Sequence, residues 1–394
     1  MTNYSTQGID CPVPTFHIPL IRPYLPPGTK ERVNAVLESG FLTEGAVTRQ
    51  FEAAVSEYVQ APHAIAVTSC TTGLEMALRA LGIGPGAEVI VPDYTHPATA
   101  AVVNIVGATL ILVDVDPHTM LIDYDAAESA ITTKTKAILP VSQFGNPLDY
   151  DRLEDIRSKY GVFIIEDAAC SLGASYRGEP VGSQADIAVF SMHPRKFITT
   201  GEGGVVVTSK EQWADWMRSY KNFGIGKSGD ERSIAEFLRI GTNYKMSDIL
   251  TAVGLAQMEQ IDEMVQQRRH LAAAYRTRLD QCPDLELPAI TDGGEHSWQT
   301  FCALVQDRDR IRQAMRDNGI EAQIGTYALH RHQAFAQSPL CRWHGNLAGS
   351  DKADAHCLAL PLYHEMMEQD IDTVTAALMN LVQPKHRNSL LEAQ

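Results

Sequence analysis

Lys196 and Asp167 are the two side chains whose chemistry stands out in this sequence. Lys196 lies in a polar, glycine-rich loop, residues 191–204, which separates two strand-like runs. Asp167 follows the apolar run 162–165 and is therefore expected at the end of a strand. A lysine amine whose pKa is lowered by burial captures an aldehyde as a Schiff base, and a carboxylate pairs with a protonated ring nitrogen. Together these are the minimum functions of a pyridoxal phosphate (PLP) site.

Several other residues have both a functional and a structural explanation. The segment 68–73 precedes a predicted helix, whose free N–H groups bind phosphate, although Ser and Thr there also serve as ordinary caps. Ser191 either adds a hydroxyl to that site or is a simple loop serine. His96 ends a strand, where its ring can stack on a cofactor or pack as a structural histidine. Ala169 is small enough for a ring to rest against it. Lys196 itself could be a surface lysine and Asp167 a helix N-cap.

Short apolar runs alternate with helical segments through the first half of the chain. The predicted strands are residues 64–67, 88–91, 109–113, 137–141, 162–165, 187–190 and 205–208. Continuous apolar strands separated by helices indicate a mostly parallel sheet that is buried on both faces. Ligands bind at the carboxyl ends of such strands. The residues that follow the strands are small or polar, which predicts one site built from several strands.

The second half of the chain shows a different pattern. A long helix is predicted over residues 247–279, and strands are predicted at 298–305 and 320–324. Because the chain exceeds the size of a single core, we expect two domains. The large domain with the N-terminal segment would span residues 1–255, and the linking helix with a small C-terminal α/β domain would span residues 256–394.

Composition limits the class of protein. The formal net charge of −15 argues against a nucleic-acid or anionic-membrane partner, because both require a basic surface. No apolar run reaches transmembrane length and no secretory signal is visible, so a cytoplasmic protein is expected. The seven scattered cysteines do not form a disulfide pattern. His330, His332, Cys341 and His344 lack the regular spacing of a zinc site, and no metal is expected.

Taken together, these segments resemble the DegT/DnrJ/EryC1/StrS family of PLP-dependent sugar aminotransferases. The resemblance runs from about Ile18 to about residue 380. The matching segments are residues 38–40 with Gly45, 51–52, 69–78, 92–100, 140–147, 166–173, 191–204, 243–248, 252–257 and 319–320. The resemblance implies an α/β transferase of fold type I, like aspartate aminotransferase. Such a fold has a large domain with a mostly parallel sheet of the seven-stranded type and a smaller C-terminal α/β domain.

The resemblance also implies how the cofactor is held. Lys196 would form the Schiff base with PLP and then act as acid and base for the proton shift. Asp167 would hold the pyridine nitrogen, and His96 would stack on the ring where the family usually has an aromatic residue. Ala169 and Cys170 would lie beside the ring, and Cys170 stands where many members place Gln or His near the phenolic oxygen.

The resemblance also implies which residues bind the cofactor phosphate and the substrate. Cys70 and Thr71, with Ser191, would hold the phosphate. Asn243 would reach the phosphate of the neighbouring subunit's cofactor, which implies a homodimer with shared active sites. Tyr327 and His330 belong to a segment that departs from the family pattern, and they are assigned to the substrate. Ser142 replaces a frequent His of the family.

The implied activity is an aminotransfer in two half-reactions. An amino acid, by family habit L-glutamate, would convert PLP to pyridoxamine phosphate (PMP), and the amine would then pass to a ketosugar. The implied acceptor is a nucleotide-linked 4-keto-6-deoxyhexose for a surface polysaccharide or a secondary metabolite. The alternatives are a PLP-dependent sugar dehydratase of the same family and a non-catalytic regulatory or binding protein that retains the fold. The dehydratases have His in place of the lysine, so Lys196 favours transamination.

Overall fold

The computed structural model describes residues 16–226 and 236–382. The outer ends of the two predicted domains, residues 1–15 and 383–394, lie outside these described residues. The helices are α1 (Thr29–Ser39), α2 (Ala46–Tyr58), α3 (Cys70–Ala80), α4 (Pro97–Ile105), α5 (Tyr124–Ser129), α6 (Tyr150–Tyr160), α7 (Glu211–Tyr220), α8 (Asp248–Met258), α9 (Ile261–Leu279), α10 (Arg308–Asp317), α11 (Gln333–Ala336), α12 (Ala348–His356) and α13 (Glu368–Val382). Among the helices of the described residues, none is long and apolar enough to cross a membrane.

The strands form one large sheet and three smaller ones. They are β1 (His63–Val67), β2 (Glu88–Pro92), β3 (Tyr94–Thr95), β4 (Thr109–Val113), β5 (Thr135–Ile138), β6 (Phe163–Asp167), β7 (Ser175–Tyr176), β8 (Glu179–Pro180), β9 (Ile187–Ser191), β10 (Gly204–Thr208), β11 (Leu285–Glu286), β12 (Gly294–Glu295), β13 (Phe301–Val305), β14 (Gln323–Ile324), β15 (Tyr327–Ala328), β16 (Cys341–Trp343) and β17 (Cys357–Leu360).

The large sheet has the strand order β1-β10-β9-β6-β5-β2-β4-β16. Its neighbours are parallel except where β10 pairs with β1 and with β9. The seven strands predicted from the sequence are all present, so the α/β class with a mostly parallel sheet is confirmed. The eighth strand, β16, lies at the edge beside β4. It was missed because its three residues contain no continuous apolar run.

Alternate side chains of the large sheet enter two separate apolar layers. Ile90, Ile111 and Ile138 pack on the side that α2 and α6 cover. Val89 and Leu110 pack on the opposite side, under α3, α4 and α7. Each fully buried side chain of this size contributes about 1.5–3 kcal/mol to stability. Burial on both faces explains why consecutive residues of these strands, such as Val89, Ile90 and Val91 of β2, are apolar.

The C-terminal part of the chain forms a four-stranded antiparallel sheet in the order β11-β13-β17-β14. Helices α9, α10 and α13 pack with it around a third apolar cluster. The single long helix predicted over residues 247–279 is wrong, because α8 and α9 are separated at Glu259 and Gln260. Gln260 has φ −119° and ψ 14°, which is not helical. The proposed domain boundary between residues 255 and 256 stays a prediction.

Gly204 allows the large sheet to approach the start of α3. This glycine begins β10, where it pairs with Val67 of β1 and Ser191 of β9. A Cβ at this position would lie 2.6 Å from the backbone nitrogen of Cys70 and 2.7 Å from the carbonyl carbon of Ser69. Both are backbone atoms, which cannot rotate away. The contact therefore fixes the amino-terminal end of α3 against the sheet.

We predict that Gly204→Ala lowers the free energy of unfolding by about 1–3 kcal/mol, because the added methyl overpacks a rigid contact. Denaturant unfolding measures this change. Gly84→Ala is the matched control, since the nearest atom to its Cβ, a carbonyl oxygen of Val106, is 3.5 Å away. Equal stability of the two variants would contradict the close packing of β10 against α3.

Candidate active site

One pocket of about 570 Å³ lies where β6 and β9 end. The predicted site residues that line it are Cys70, Thr71, His96, Asp167, Ala169, Cys170, Ser191 and Lys196. The pocket also includes Gln299 and residues 323–326 from the C-terminal half of the chain. A larger cavity, of about 810 Å³, lies beside β11 and α10, and none of the predicted residues lines it. The predicted chemistry is therefore gathered in the smaller pocket.

Lys196 extends from the loop between β9 and β10 into this pocket. Its Nζ donates a hydrogen bond of 3.0 Å to Sγ of Cys170. Burial lowers the pKa of Lys196, but Cys170, Asp167 and Cys70 raise it more, so the pKa lies above its usual value. The amine faces a carboxylate and two thiols, and these favour its protonated form.

Asp167 ends β6, with only 4% of its surface exposed. Its Oδ2 accepts a hydrogen bond of 2.7 Å from the hydroxyl of Thr99, and its Oδ1 accepts one of 3.1 Å from the N–H of Ala169. The Thr99 hydroxyl lies 3.0 Å from that of Thr95. No helix begins after Asp167, so its interpretation as a helix cap is excluded. Its carboxylate is instead fixed in one orientation at the pocket.

Two glutamines from distant elements hold the loop that carries Lys196. Gln299 donates to the carbonyl of Arg195 at 2.7 Å and accepts from the N–H of Phe197 at 3.1 Å. Gln257, on α8, accepts from the N–H of Thr199 at 3.0 Å and donates to the carbonyl of the same residue. Leaving such buried groups unpaired would cost about 1–3 kcal/mol each. Sequence analysis missed both glutamines, because no local pattern connects them to the loop.

Arg268 supports the same loop from behind. This residue of α9 is only 1% exposed, and its guanidinium donates to the carbonyls of Trp298 and Gln299 at 2.8 Å and of Leu362 at 3.1 Å. It also lies 5.3 Å from the ring centroid of Phe197. Burial lowers the pKa of Arg268 to about 9. In the part of the chain that the structure describes, its hydrogen-bond partners are carbonyl groups, so this buried charge serves to fix backbone.

The amino-terminal end of α3 provides the anion-binding part of the pocket. Ser69 caps the helix by accepting from the N–H of Thr72 at 3.1 Å, and the Thr72 hydroxyl accepts from the N–H of Ser69 at 3.1 Å. Within the described residues, the N–H groups of Cys70 and Thr71 donate to no acceptor. Free N–H groups at a helix start, with the helix dipole, bind phosphate. The Ser191 hydroxyl lines the same pocket and can add a donor.

These residues fit PLP at three points. The free donors at the start of α3 match its phosphate, and the oriented carboxylate of Asp167 matches its protonated ring nitrogen. The amine of Lys196 matches its aldehyde, and the pocket that joins the three groups has a volume of about 570 Å³. Burial raises the pKa of the Cys70 thiol well above its usual value, so this side chain stays neutral beside Asp167.

His96 is an exposed residue at the mouth of the pocket. It caps α4, where its Nδ1 accepts a hydrogen bond of 3.2 Å from the N–H of Ala98. Burial of part of the ring lowers the pKa of His96, and Asp167 opposes this change. The ring is therefore neutral, with its proton on Nε2. Its structural role as a cap is observed, and its stacking on a cofactor ring stays a prediction.

Three predicted residues do not line the pocket. Asn243 is exposed, and its Oδ1 accepts from Nζ of Lys245 at 2.8 Å. Tyr327 lies on β15, and its ring contacts that of His332. His330 is bound to Asp93, with its Nδ1 2.7 Å from Oδ2 of that residue. In the described residues no group of three or more His, Cys, Asp or Glu side chains could hold a metal ion.

Glu166 forms a second polar centre, directly beside Asp167 but behind the pocket. Its side chain is fully buried and accepts hydrogen bonds from the hydroxyls of Ser142 and Tyr150. Burial raises the pKa of Glu166 to about 7, with a further contribution from the charge of Asp167. This use of Ser142 was not foreseen from the sequence. Two adjacent acids thus have different environments, one open to the pocket and one enclosed.

We predict that Glu166 makes folding stability fall as the pH rises from about 4.5 to about 7. In this range the folded protein retains a proton that the unfolded chain has lost, so ionisation of Glu166 opposes folding. Glu166→Gln removes the titration but keeps an acceptor. Since one pKa unit corresponds to about 1.4 kcal/mol, the variant should gain up to roughly 3 kcal/mol over the wild type across this range.

Urea unfolding at a series of pH values measures this difference. Glu57→Gln is the control, because Glu57 is exposed on α2 and its replacement should leave the pH dependence unchanged. Parallel pH curves for the wild type and Glu166→Gln would show that Glu166 titrates normally.

Comparisons with known proteins place this pocket in a family. A model of the DegT/DnrJ/EryC1/StrS aminotransferase family matches residues 26–379. A Streptococcus pneumoniae protein described as a sugar aminotransferase, solved in PMP and PLP forms, is 28% identical to this chain. In the PMP form it superposes with a TM-score of 0.88 over 93% of this chain and 99% of its own.

Two further solved structures are similar over nearly their whole length. The sugar aminotransferase CalS13 from Micromonospora echinospora is 28% identical, with a TM-score of 0.86, and the match covers 92% of this chain and 99% of that chain. DesV from S. venezuelae, solved in complex with a ketimine intermediate, is 30% identical, with a TM-score of 0.84. That match covers 92% of this chain and 100% of DesV.

The family match runs through all eight strands of the large sheet and through both Lys196 and Asp167. The pocket fits PLP, and a relative of similar fold was solved with that cofactor and with its amino form. The protein is therefore a PLP-dependent enzyme, and the chain belongs to the DegT/DnrJ/EryC1/StrS aminotransferase family.

Proposed function

We propose that this enzyme moves an amino group from L-glutamate to a nucleotide-linked 4-keto-6-deoxyhexose. The observation that carries the proposal is the meeting of Lys196, Asp167 and the start of α3 in one pocket. A lysine in this position favours transamination over the dehydratase alternative. A non-catalytic protein would have no need for an amine, an oriented carboxylate and a phosphate site together.

The residues of the chain have distinct roles in this proposal. Bound PLP supplies an electron sink for the bond electrons released when a proton leaves the carbon next to the amine. Nζ of Lys196 takes and returns that proton, and Cys170 lies 3.0 Å from it as a hydrogen-bond partner. Asp167 presents its carboxylate to the ring nitrogen, because Thr99 and the N–H of Ala169 hold it in one orientation. The N–H groups of Cys70 and Thr71 hold the phosphate.

The proposal names a sugar as the amino acceptor and L-glutamate as the amino donor. Support for a sugar comes from relatives that are named sugar aminotransferases and match this chain over more than nine-tenths of its length. A nucleotide-linked substrate would serve the synthesis of a surface polysaccharide or a secondary metabolite. Residues 323–326 line the same pocket as the cofactor residues and would contact the sugar.

We further propose that the active unit is a homodimer with shared sites. Asn243 is exposed and outside its own chain's pocket, so it is available to a second subunit. Apolar side chains are exposed close to it in sequence, namely Phe223, Phe237, Leu238 and Ile240, the last with 98% of its surface exposed. Exposed apolar groups of this size favour burial against another protein surface. A second copy that covers them would also bring Asn243 to a neighbouring pocket.

A cytoplasmic location is also part of the proposal. The six cysteines in the described part of the chain are all free thiols. Cys70 and Cys170 line the pocket, and oxidation of either would alter the surroundings of Lys196. Such a site is suited to a reducing compartment.

We predict that Lys196→Ala abolishes both half-reactions while the fold is retained. The variant lacks the amine that binds the aldehyde and moves the proton, so turnover should fall by about 10³-fold or more. An absorbance spectrum of the purified protein with PLP, before and after L-glutamate alone, measures the first half-reaction. The wild type should lose its visible band and gain the PMP band, whereas the variant should show no change.

Lys136→Ala serves as the control, because Lys136 is an exposed residue of β5. Transfer to a nucleotide-linked 4-keto-6-deoxyhexose, followed by chromatography of the sugar product, tests the second half-reaction. A Lys196→Ala protein with near wild-type turnover would refute the assignment. A wild-type band that does not respond to glutamate would exclude that donor.

We predict that two inactive variants restore activity when their subunits are mixed. Lys196→Ala and Asn243→Ala damage different chains of the same site, so a mixed dimer contains one site with both residues intact. Random exchange would recover about one quarter of the wild-type sites. Activity is measured after the subunits are dissociated in mild denaturant and allowed to reassociate.

The control mixes Lys196→Ala with Asp167→Ala, whose residues lie in the pocket of one chain. Here the mixed dimer has no intact site and no recovery is expected. Recovery in the control, or none in the Asn243 mixture, would contradict shared sites.

A further inference from the structure

Arg195 and His193 lie at the pocket mouth, and the proposed mechanism uses neither. Both residues line the pocket, and both are exposed. They precede Lys196 on the same loop. Arg195 places a positive charge at the mouth of the pocket, in a chain whose formal net charge is −15.

The backbone of Arg195 is fixed although its side chain is exposed. Its carbonyl accepts the 2.7 Å hydrogen bond from Gln299, and its N–H donates to Nδ1 of His193 at 3.2 Å. Among the described residues, the guanidinium of Arg195 has no hydrogen bond or ion pair. The chain therefore holds an unpaired guanidinium at the entrance, on a loop that cannot move freely.

The positive charges of Lys196 and Arg195 act on the mouth of the pocket, where they favour an anion. Burial lowers the pKa of His193, and Lys196 and Arg195 lower it further, while Glu202 opposes them. Burial has the larger effect on the pKa of His96, which also lines the pocket, and the charge of Arg195 lowers that pKa further. Glu202 lines the same pocket, and within the described residues it forms no ion pair with Arg195. Since Nδ1 of His193 is an acceptor, its Nε2 carries a proton and is a second donor.

We infer that Arg195, with His193 beside it, binds an anionic oxygen group of a substrate. This inference rests on the proposed function for the identity of the substrates. Two sources offer such a group: the carboxylate of the amino-acid donor and the diphosphate of the nucleotide-linked sugar. A guanidinium binds either through paired N–H donors.

The donor carboxylate is the better match to the position of Arg195. In an amino acid the α-carboxylate is attached to the reacting carbon, so it must lie close to Nζ of Lys196 during the reaction. In a nucleotide-linked 4-ketosugar the diphosphate is several bonds from the reacting carbon. Arg195 is adjacent to Lys196 in the chain and lines the same pocket, so its guanidinium can reach a carboxylate that is attached to the reacting carbon. It would therefore determine the preference for donors that carry an α-carboxylate.

Equilibrium binding to the PLP-loaded enzyme tests the inference without turnover. Isothermal titration calorimetry measures the Kd of glutarate, which is glutamate without its amino group, and of thymidine diphosphate. Arg195→Gln should weaken glutarate binding by about tenfold or more, since a charge-assisted pair is lost. Arg195→Lys should retain part of the affinity. Arg342→Gln, at an exposed residue of β16, should bind both probes as the wild type does.

Kinetics of the first half-reaction provide a second readout. Arg195→Gln should raise the L-glutamate concentration that gives the half-maximal rate, with a smaller change in the limiting rate. Its discrimination between L-glutamate and 4-aminobutyrate, which lacks the α-carboxylate, should shrink by a similar factor. An unchanged visible band of bound PLP would show that the cofactor site is intact.

The outcomes distinguish the donor carboxylate from the nucleotide diphosphate as the bound group. They also distinguish failure of the anion site from failure of the proposed function. Loss of thymidine diphosphate binding alone supports the anion site and assigns it to the nucleotide. Unchanged affinity for both probes in Arg195→Gln overturns the inference, as does a wild type that binds neither. If the wild type aminates no ketosugar but Arg195→Gln still loses glutarate binding, the proposed function fails and the anion site stands.

Discussion

A lysine amine can be held inside a protein only when the loop that carries it has its buried backbone groups paired. This requirement organises the structure around Lys196. The loop between β9 and β10 pairs some of its backbone groups internally, as the N–H of Lys196 with the carbonyl of His193, and side chains supply further partners. Gln299 pairs with the groups on both sides of Lys196, and Gln257 pairs with Thr199. Arg268 then fixes the backbone of Gln299 itself. An unpaired buried polar group costs more free energy than a hydrogen bond contributes, so losing any of these partners would strongly destabilise this conformation of the loop.

The site also depends on how the charged groups of the pocket are stabilised. Lys196 and Asp167 face one pocket, and each is stabilised by neutral donors or acceptors in addition to the other. Thr99 and the N–H of Ala169 stabilise the carboxylate, and Cys170 accepts from the amine. The adjacent acid, Glu166, is enclosed by hydroxyl groups, and burial raises its pKa to about 7. Separating two neighbouring acids in this way keeps the negative charge on the side where the cofactor binds.

Sequence reasoning identified the parts of the molecule that are determined locally. The strands of the large sheet, Lys196 and Asp167 follow from short apolar runs and from the residues that end them. Gln299, Arg268 and Thr99 could not be found in this way, since their partners are distant in the chain and are chosen by packing. The single helix predicted over residues 247–279 failed for a related reason. Its apolar stripe continues across Gln260, although the backbone there turns.

The pocket is built from two parts of the chain that are joined through backbone groups. The residues that fit the cofactor lie at the ends of strands in the large sheet and at the start of α3. Residues 323–326, which line the same pocket, come from the C-terminal half of the chain. Gln299 and Arg268 join these two parts through hydrogen bonds to backbone groups. Side chains at residues 323–326 can therefore change while the hydrogen bonds that hold the loop of Lys196 are retained.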